Sequence, residues 1–265
     1  MKVPGLPPLP DGLPEARDAR PMAGGDIAAV WDVTLEDGRR VVVKSGGGDP
    51  GLEAEGLDAL RDAGAPTPAV LGQSDAVLVL EYVGGPADWE GLGRALARCH
   101  RVKSERFGWH RDNLIGSLPQ PNDPCPDWPT FYLETRLARW LPALPAQLRD
   151  RLERAMAHIL PALLDHDVGP SLVHGDLWSG NVVAGRWLID PAVHFADREL
   201  DLAMLDLFGT IPCAMQAGYD AVWPLDSGWQ QRRPALQLYH LLVHVQLFGS
   251  GYHGAVAARL DAIGA

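Results

Sequence analysis

The residues best suited to chemistry are oxygen-bearing side chains in the segment His174-Gly-Asp176-Leu-Trp178-Ser-Gly-Asn181 and in the later pair Asp190-Pro191. The Asp176 carboxylate can accept the proton of an attacking hydroxyl. Asn181 and Asp190 offer the amide and carboxylate oxygens that Mg²⁺ accepts as ligands, with nucleotide phosphates completing its coordination. This order of base, amide and acid predicts phosphoryl transfer from a magnesium-bound nucleotide.

The spacing of these residues supports that prediction. His-x-Asp-x-x-x-x-Asn is the spacing of the kinase catalytic loop, and kinases place a metal-binding Asp after a later short strand. Apolar pairs at 172–173 and 182–183 flank the loop, which indicates an exposed loop held at both ends. A single Asp or Asn is more often a turn former, so the catalytic interpretation depends on the ordered set.

A β-hairpin is predicted in the first third of the chain. Residues 30–35 alternate between apolar and polar types, Asp37-Gly38 follows, and a second run covers 40–44. Two such runs around an Asp-Gly pair are typical of a hairpin.

The hairpin brings candidate phosphate-binding groups together. Gly24, Gly25 and Asp26 precede its first strand, where glycines allow backbone N–H groups to approach phosphate oxygens. Lys44 ends the second strand and can place its ammonium on the same phosphates. The glycine pair alone is a weak signal, and Lys44 strengthens it.

A helix over residues 52–60 follows, and one of its acids is expected to face Lys44. Glu53 is the first choice because Leu57 and Leu60 lie four and seven residues beyond it and mark the inward face. Glu55 is the alternative. For either acid the competing interpretation is a solvated charge.

An apolar run at 77–83 ends in Gly84-Gly85. It suits a last small-lobe strand that leads into an interlobe hinge, where an adenine ring would bind the backbone around Glu81 and Val83. Any buried strand followed by a turn would look the same, and the position of this strand after Lys44 and the helix favours the hinge.

Together these segments resemble the fructosamine kinase (ketosamine 3-kinase) family, which is related to aminoglycoside and choline kinases and more distantly to protein kinases. The resemblance covers nearly the whole chain from Gly24 onward. Its most specific segments are 24–27, 107–117, 119–122, 174–181, 190–193, 197–204, 207–209 and 239–249. Trp178 separates this family most clearly from other kinases.

The resemblance implies a protein-kinase-like, bilobal α+β fold. Residues 1–83 would form a small antiparallel β lobe with one main helix, beginning with a proline-rich lead at 1–21, and residues 84–265 a larger, mostly helical lobe. The implied activity is phosphorylation, by ATP with Mg²⁺, of the 3-hydroxyl of a fructosamine or ribulosamine, free or protein-bound. The product would decompose and free the amine, a deglycation-type repair.

Other functions stay open at this point. Asp176, Asn181, Asp190 and Lys44 do not distinguish a ketosamine from another small amine or alcohol, such as an aminoglycoside or choline. A nucleotide-binding regulator without turnover is a further alternative, and the complete catalytic set argues against it. Trp178 is expected to border the acceptor, or alternatively to pack the catalytic loop.

The chain departs from the family at its start. Many members begin with a helix, whereas prolines at 4, 7, 8, 10 and 14 exclude a helix interior here, so an extended cover or partial disorder is expected. Asp26 stands where some members carry a Cys that supports redox-sensitive dimers. A redox switch is therefore not expected at this loop, and a monomer is favoured.

Composition sets limits on class and compartment. The 265 residues, 46% of them apolar, can bury a sizeable core. No stretch is apolar and long enough to span a bilayer, and no secretory leader is expected. Three cysteines in no metal-binding spacing suggest free thiols in a reducing cytoplasm. The net charge of −11 disfavours nucleic acid and anionic membrane as partners and is compatible with a cationic ketosamine.

Helical spacing predicts helices over 89–101, 131–141, 147–164, 198–208 and 234–248. Asp201, by resemblance to kinases, would hold the backbone of the catalytic loop. His240 and His244 stand four residues apart but lack the Glu and third ligand of a zinc site, so they are expected to pack the last helix.

Overall fold

The computed structural model describes residues 5–22 and 28–265. Within that part of the chain, one antiparallel sheet of five strands forms in the order β1-β2-β3-β5-β4. Its strands are β1 (Ala16–Pro21), β2 (Ala29–Leu35), β3 (Arg40–Ser45), β4 (Val70–Gln73) and β5 (Val77–Glu81). The predicted hairpin is confirmed as β2 and β3, and Gly38 in its turn has a left-handed φ of 88° that favours glycine.

The helix α1 (Pro50–Asp62) covers one face of this sheet. It begins at Asp49, whose carboxylate accepts a hydrogen bond from Gly51 N at 2.8 Å and so caps the first turn. Leu57 packs against Leu78 and Leu80 of β5. Burial of this apolar face holds α1 on the sheet with its first turn beside the end of β3.

The proline-rich lead covers the opposite face. Leu6, Leu9 and Leu13 pack against Val41 and Val43 of β3. This part of the lead is the extended cover that was expected. Residues 16–21, however, form β1, which pairs with β2 and which the sequence pattern did not predict.

The rest of the chain is mostly helical. Its α-helices are α2 (Trp89–Cys99), α3 (Trp128–Thr130), α4 (Ala146–His158), α5 (Leu160–Leu164), α6 (Glu199–Leu205), α7 (Cys213–Asp220), α8 (Trp229–Phe248) and α9 (His253–Ala262). Phe131–Leu137 is π-helical, and Ala138–Ala143, Ser179–Asn181 and Ser250–Tyr252 are 3₁₀-helical. Short antiparallel pairs join β6 (Asn113–Ile115) to β7 (Leu118–Gln120), β8 (Ser171–Val173) to β11 (His194–Ala196), and β9 (Val182–Val183) to β10 (Trp187–Leu188).

The predicted helices differ from the structure in their bounds. The segment predicted as one helix over 131–141 is π-helical and then 3₁₀-helical, and two further predictions differ by more than their ends. The helix predicted over 147–164 breaks at Ile159, because Pro161 has no N–H to continue the ladder. The helix predicted from residue 234 begins instead at Trp229, whose buried ring, together with an Arg232–Glu199 ion pair, anchors the earlier turns. The helices α7 and α9 were not predicted.

The candidate catalytic loop lies between two short strand pairs, β8–β11 and β9–β10. Strand β8 ends one residue before His174, and β9 and β10 form a hairpin with Asn181 directly before it and Asp190 two residues after it. No helix in residues 5–22 and 28–265 is long and apolar enough to cross a membrane.

Candidate active site

Lys44 joins the two parts of the site. Its Nζ donates to both carboxylate oxygens of Glu53, at 2.7 and 2.8 Å, and to Oδ1 of Asp190. Lys44 is only 14% exposed at its side chain. One ammonium therefore connects the end of β3, the first turn of α1 and the segment after the β9–β10 hairpin.

Glu53, and not Glu55, is the acid that contacts Lys44. Glu55 instead contacts the loop before β6. Its carboxylate accepts a hydrogen bond from Trp109 Nε1 at 2.7 Å, lies 3.2 Å from His110 Nε2 and forms an ion pair with Arg111. Glu55 therefore fastens α1 to the larger lobe.

The backbone of the candidate catalytic loop is held by a buried acid. Asp201 of α6 accepts from His174 N at 2.7 Å and from Gly175 N at 2.9 Å, and its Oδ2 lies 3.1 Å from His100 Nε2. This is the contact expected of Asp201. His240 adds a second anchor, because its Nε2 lies 2.9 Å from Gly175 O.

His174 ties the loop to the segment that carries Asp190. Its Nε2 lies 2.9 Å from the carbonyl oxygen of Ile189, and its Nδ1 accepts from Asp176 N at 3.3 Å. Burial lowers the pKa of His174, so the ring is neutral and one nitrogen donates while the other accepts.

Asp176 and Asn181 face each other across the loop. Asn181 Nδ2 donates to Asp176 O at 2.9 Å and lies 3.4 Å from Asp176 Oδ2. The amide nitrogen of Asn181 is thus engaged, which turns its carbonyl oxygen away from Asp176. That oxygen accepts no hydrogen bond from the described residues and is free to ligate a cation.

Asp190 adopts an uncommon backbone conformation, with φ of 55° in the left-handed region. The next residue, Pro191, packs so closely on α1 that a Cβ at Gly56 would lie 2.9 Å from its Cγ. Strain of this kind persists only where the surroundings enforce it, and it is common at functional sites.

A buried polar network enforces the path of the chain after Asp190. Gln120 Nε2 donates to Ala192 O at 3.1 Å, and Asn113 Nδ2 donates to Val193 O at 2.8 Å. Tyr239 OH of α8 donates to Gln120 Oε1 at 2.5 Å. These residues belong to segments that carry the family resemblance, and their sequence alone predicted no role for them.

Burial and neighbouring charges shift the pKa values of three acids in the site. Burial, with the nearby charge of Asp190, raises the pKa of Asp176 to about 7. Burial likewise raises the pKa of Glu53 to about 7, although Lys44 opposes the shift. Burial also disfavours charge on Asp190, but the Lys44 ammonium prevails and holds its pKa below its usual range.

These groups fit a divalent cation. Oxygen donors from Asn181 and Asp190 are the ligand type of Mg²⁺, which binds few protein groups and completes its shell with phosphate and water. Lys44 supplies one ammonium to two contacting carboxylates, those of Glu53 and Asp190, and a divalent cation would neutralise the excess negative charge. Asn181 and Asp190 would be the residues that hold it.

The predicted nucleotide contacts are only partly described. Gly24, Gly25 and Asp26 lie outside the described residues. At the predicted hinge, Glu81 N already donates to Ala69 O at 2.8 Å, whereas Val83 N donates to no acceptor within the described residues. An adenine ring would thus find Val83 N available.

Trp178 lies at the open side of the loop. Its side chain is 38% exposed, and its indole covers Gly180 so closely that a Cβ there would come 2.2 Å from the ring. Gly180 therefore leaves the space in which the indole lies flat. This exposure, two residues from Asp176, is consistent with the prediction that Trp178 borders the acceptor.

A family model for fructosamine kinase matches residues 11–264. A probable ketoamine kinase from Thermus thermophilus is 36% identical over 261 residues, covering 95% of this chain and 96% of the relative. The crystal structure of a Thermobifida fusca protein, provisionally named a fructosamine-3-kinase, has a TM-score of 0.87 at 36% identity and covers 94% of both chains.

More distant structures share the fold alone. An amicoumacin kinase in complex with AMP-PNP and Ca²⁺ has a TM-score of 0.62 at 14% identity, with 95% of this chain and 90% of that chain covered. The bilobal α+β, protein-kinase-like fold is thereby confirmed.

Proposed function

The chain belongs to the fructosamine kinase family, and on that premise we propose that it transfers the γ-phosphoryl group of ATP, with Mg²⁺, to the 3-hydroxyl of a ketosamine. Membership in this family makes it a phosphotransferase that acts on a hydroxyl group. A fructosamine or ribulosamine, free or protein-bound, is the proposed acceptor. The proposed role is deglycation, because the phosphorylated product decomposes and releases the amine.

The observation that carries this proposal is the convergence on Lys44. A strand of the small lobe, the helix α1 and the segment after β10 meet at one ammonium, with Asp176 and Asn181 in the adjoining loop. In this arrangement Lys44 can position the nucleotide phosphates and Asp176 can accept a proton, and phosphoryl transfer requires both of these functions.

In the proposed mechanism the acceptor hydroxyl lies against Asp176. Its oxygen bonds to the γ-phosphorus as the bond from that phosphorus to the bridging oxygen breaks, and its proton passes to Asp176. Asn181 orients the carboxylate through its amide, and Lys44, held by Glu53, balances phosphate charge. A bound Mg²⁺ supplies charge stabilisation at the phosphates.

We also propose that the lobes divide at residues 83 and 84. Strand β5 ends at Glu81 and α2 begins at Trp89, so the connecting segment carries Val83 at the edge of the cleft. Trp187 supports this segment, because its indole N–H donates to Gly84 O at 3.0 Å.

The activity is tested by ATP consumption over free fructosamines, ribulosamines, an aminoglycoside and choline. We expect kcat/KM for a ketosamine to exceed the values for choline and the aminoglycoside by about 100-fold or more. A 3-deoxy ketosamine should give no turnover, while a 4-deoxy analogue should be phosphorylated. Preferred turnover of choline or an aminoglycoside would contradict the acceptor, and absence of turnover with every acceptor would favour a regulator.

The raised pKa of Asp176 predicts a pH profile. The base must be a carboxylate, so kcat/KM for Mg-ATP should rise with pH and level off above about 7. Two units below that pKa only about 1% of the carboxyl is ionised, and kcat/KM should be about 100-fold lower. Initial rates in constant-ionic-strength buffers measure the profile.

Glu53 titrates in the same range and provides the control. If Asp176 causes the fall in kcat/KM at low pH, which we call the acidic limb of the profile, this limb should persist in Glu53→Gln. If the acidic limb is absent from the Glu53→Gln profile, the titrating group is Glu53 and not Asp176.

Trp178→Ala is expected to raise KM for a ketosamine by roughly 5–30-fold, equivalent to about 1–2 kcal/mol, with KM for ATP nearly unchanged. The flat ring would be lost as a wall for the sugar and as a partner for the amine. Trp187→Ala is the matched control, because it removes an equal ring from the hinge side. An unchanged ketosamine KM in folded Trp178→Ala would assign the ring to loop packing alone.

A further inference from the structure

A cavity of about 440 Å³ lies apart from the candidate active site, between the end of α1, one side of α2 and the turn of the β9–β10 hairpin. Three arginines line it: Arg61 from the last turn of α1, Arg98 from α2 and Arg186 from the hairpin turn. The volume is within the range of small-molecule sites in proteins.

The charge of this cavity is opposite to that of the protein. The chain carries a net charge of −11, yet Asp88 is the one acid among the lining residues. The carboxylate of Asp88 is engaged as the N-cap of α2, where it accepts from Gly91 N at 2.9 Å. The cavity therefore has an excess of two positive charges.

These guanidinium groups have few partners, and Arg186 makes a cation–π contact, with its Cζ 5.9 Å from the centroid of the Trp187 ring. Across residues 5–22 and 28–265, none of the three forms an ion pair with a carboxylate, and only Arg61 donates a hydrogen bond, to Thr67 O at 2.9 Å. By contrast Arg94, also on α2 but outside the cavity, pairs with Glu90. Cations that line one concavity make its potential positive, which attracts an anion.

We propose that this cavity binds a small, multiply charged phosphate compound. Arginine forms paired hydrogen bonds with phosphate oxygens, and guanidinium groups from three separate elements can surround more than one phosphate face. Inorganic pyrophosphate and a sugar phosphate share this chemistry.

A ligand in this cavity would connect α1 with the β9–β10 hairpin, the two elements that position the catalytic groups. Arg61 is on the helix that carries Glu53, and Arg186 is in the turn between Asn181 and Asp190. A ligand bound to both arginines would restrain α1 against the hairpin. Its consequence for catalysis rests on the proposed function, whereas its binding does not.

Calorimetry in metal-free buffer tests the binding, with inorganic pyrophosphate and fructose 6-phosphate as separate probes. We expect saturable binding of at least one probe to wild type and to Lys44→Met, which disables the nucleotide phosphate site. The double variant Arg98→Gln/Arg186→Gln should bind at least about tenfold more weakly. Arg94→Gln is the matched control and should bind within about twofold of wild type.

Two results would overturn the proposal. One is loss of binding in Lys44→Met with retention in the double variant, which would place the probe at the nucleotide site. The other is absence of saturable binding up to about 10 mM at low salt, where electrostatic attraction is least screened. The single variant Arg98→Gln serves if the double variant does not fold, and melting temperatures without ligand report this.

Discussion

Replacing Asp176 with Asn is expected to lower kcat by about 10²–10⁴ while the affinity for Mg-ATP changes little. The amide keeps the shape of the carboxylate, so Asn181 still finds the backbone oxygen that it binds at 2.9 Å. What is lost is the group that accepts the proton. Single-turnover kinetics, combined with calorimetric titration of Mg-ATP, separate the chemical step from nucleotide binding.

Asp206→Asn is the control for this substitution. Asp206 is in the same lobe and pairs with Arg233 at 2.9 Å, away from the candidate site, so its loss should leave turnover near the wild-type value. Any residual activity of Asp176→Asn should also lack the acidic limb of the pH profile. Turnover within about threefold of wild type would remove Asp176 from the mechanism.

The parts of the site that were predictable are those encoded by neighbouring residues. The β2–β3 hairpin follows from an alternating pattern around Asp37-Gly38, and its register places Lys44 at the end of the strand. The pairing of Lys44 with Glu53 spans only nine residues, and the apolar spacing of α1 was enough to prefer Glu53 to Glu55.

The parts that were missed depend on contacts distant in sequence. Tyr239 and Gln120 are 119 residues apart and form one buried hydrogen bond, a pairing that no local pattern encodes. The same holds for Glu55, which looked like a solvated charge and binds the indole of Trp109, 54 residues away.

Strand β1 was missed for a different reason. Its sequence, Ala-Arg-Asp-Ala-Arg-Pro, is neither rich in β-branched residues nor strictly alternating. It becomes a strand because β2 offers an unpaired edge and because Ala16 and Ala19 pack on the apolar face of the sheet. Tertiary pairing here overrides a weak local preference.

Asp190→Ala should weaken Mg-nucleotide binding by about 10²–10³-fold, and Asn181→Ala by only about tenfold, because a full charge is worth more to a cation than an amide dipole. Two opposite unit charges 4 Å apart attract each other by about 4 kcal/mol at an effective dielectric constant of 20. Asp190 is ionised at neutral pH, since Lys44 holds its pKa below the usual range despite burial. Calorimetric titration of Mg-ATP measures both variants.

The intermediate variant Asp190→Asn tests whether charge or shape causes the loss. It keeps an oxygen ligand and removes the charge, so its affinity should lie between those of wild type and Asp190→Ala. Removal of Asp190 also leaves Lys44 paired with Glu53 alone, which strengthens that pair and should preserve the fold. Melting temperatures check this point. If Asp190→Ala, Asn181→Ala and wild type bind Mg-ATP equally well, neither residue ligates the metal, and the excess negative charge around Lys44 must serve another purpose.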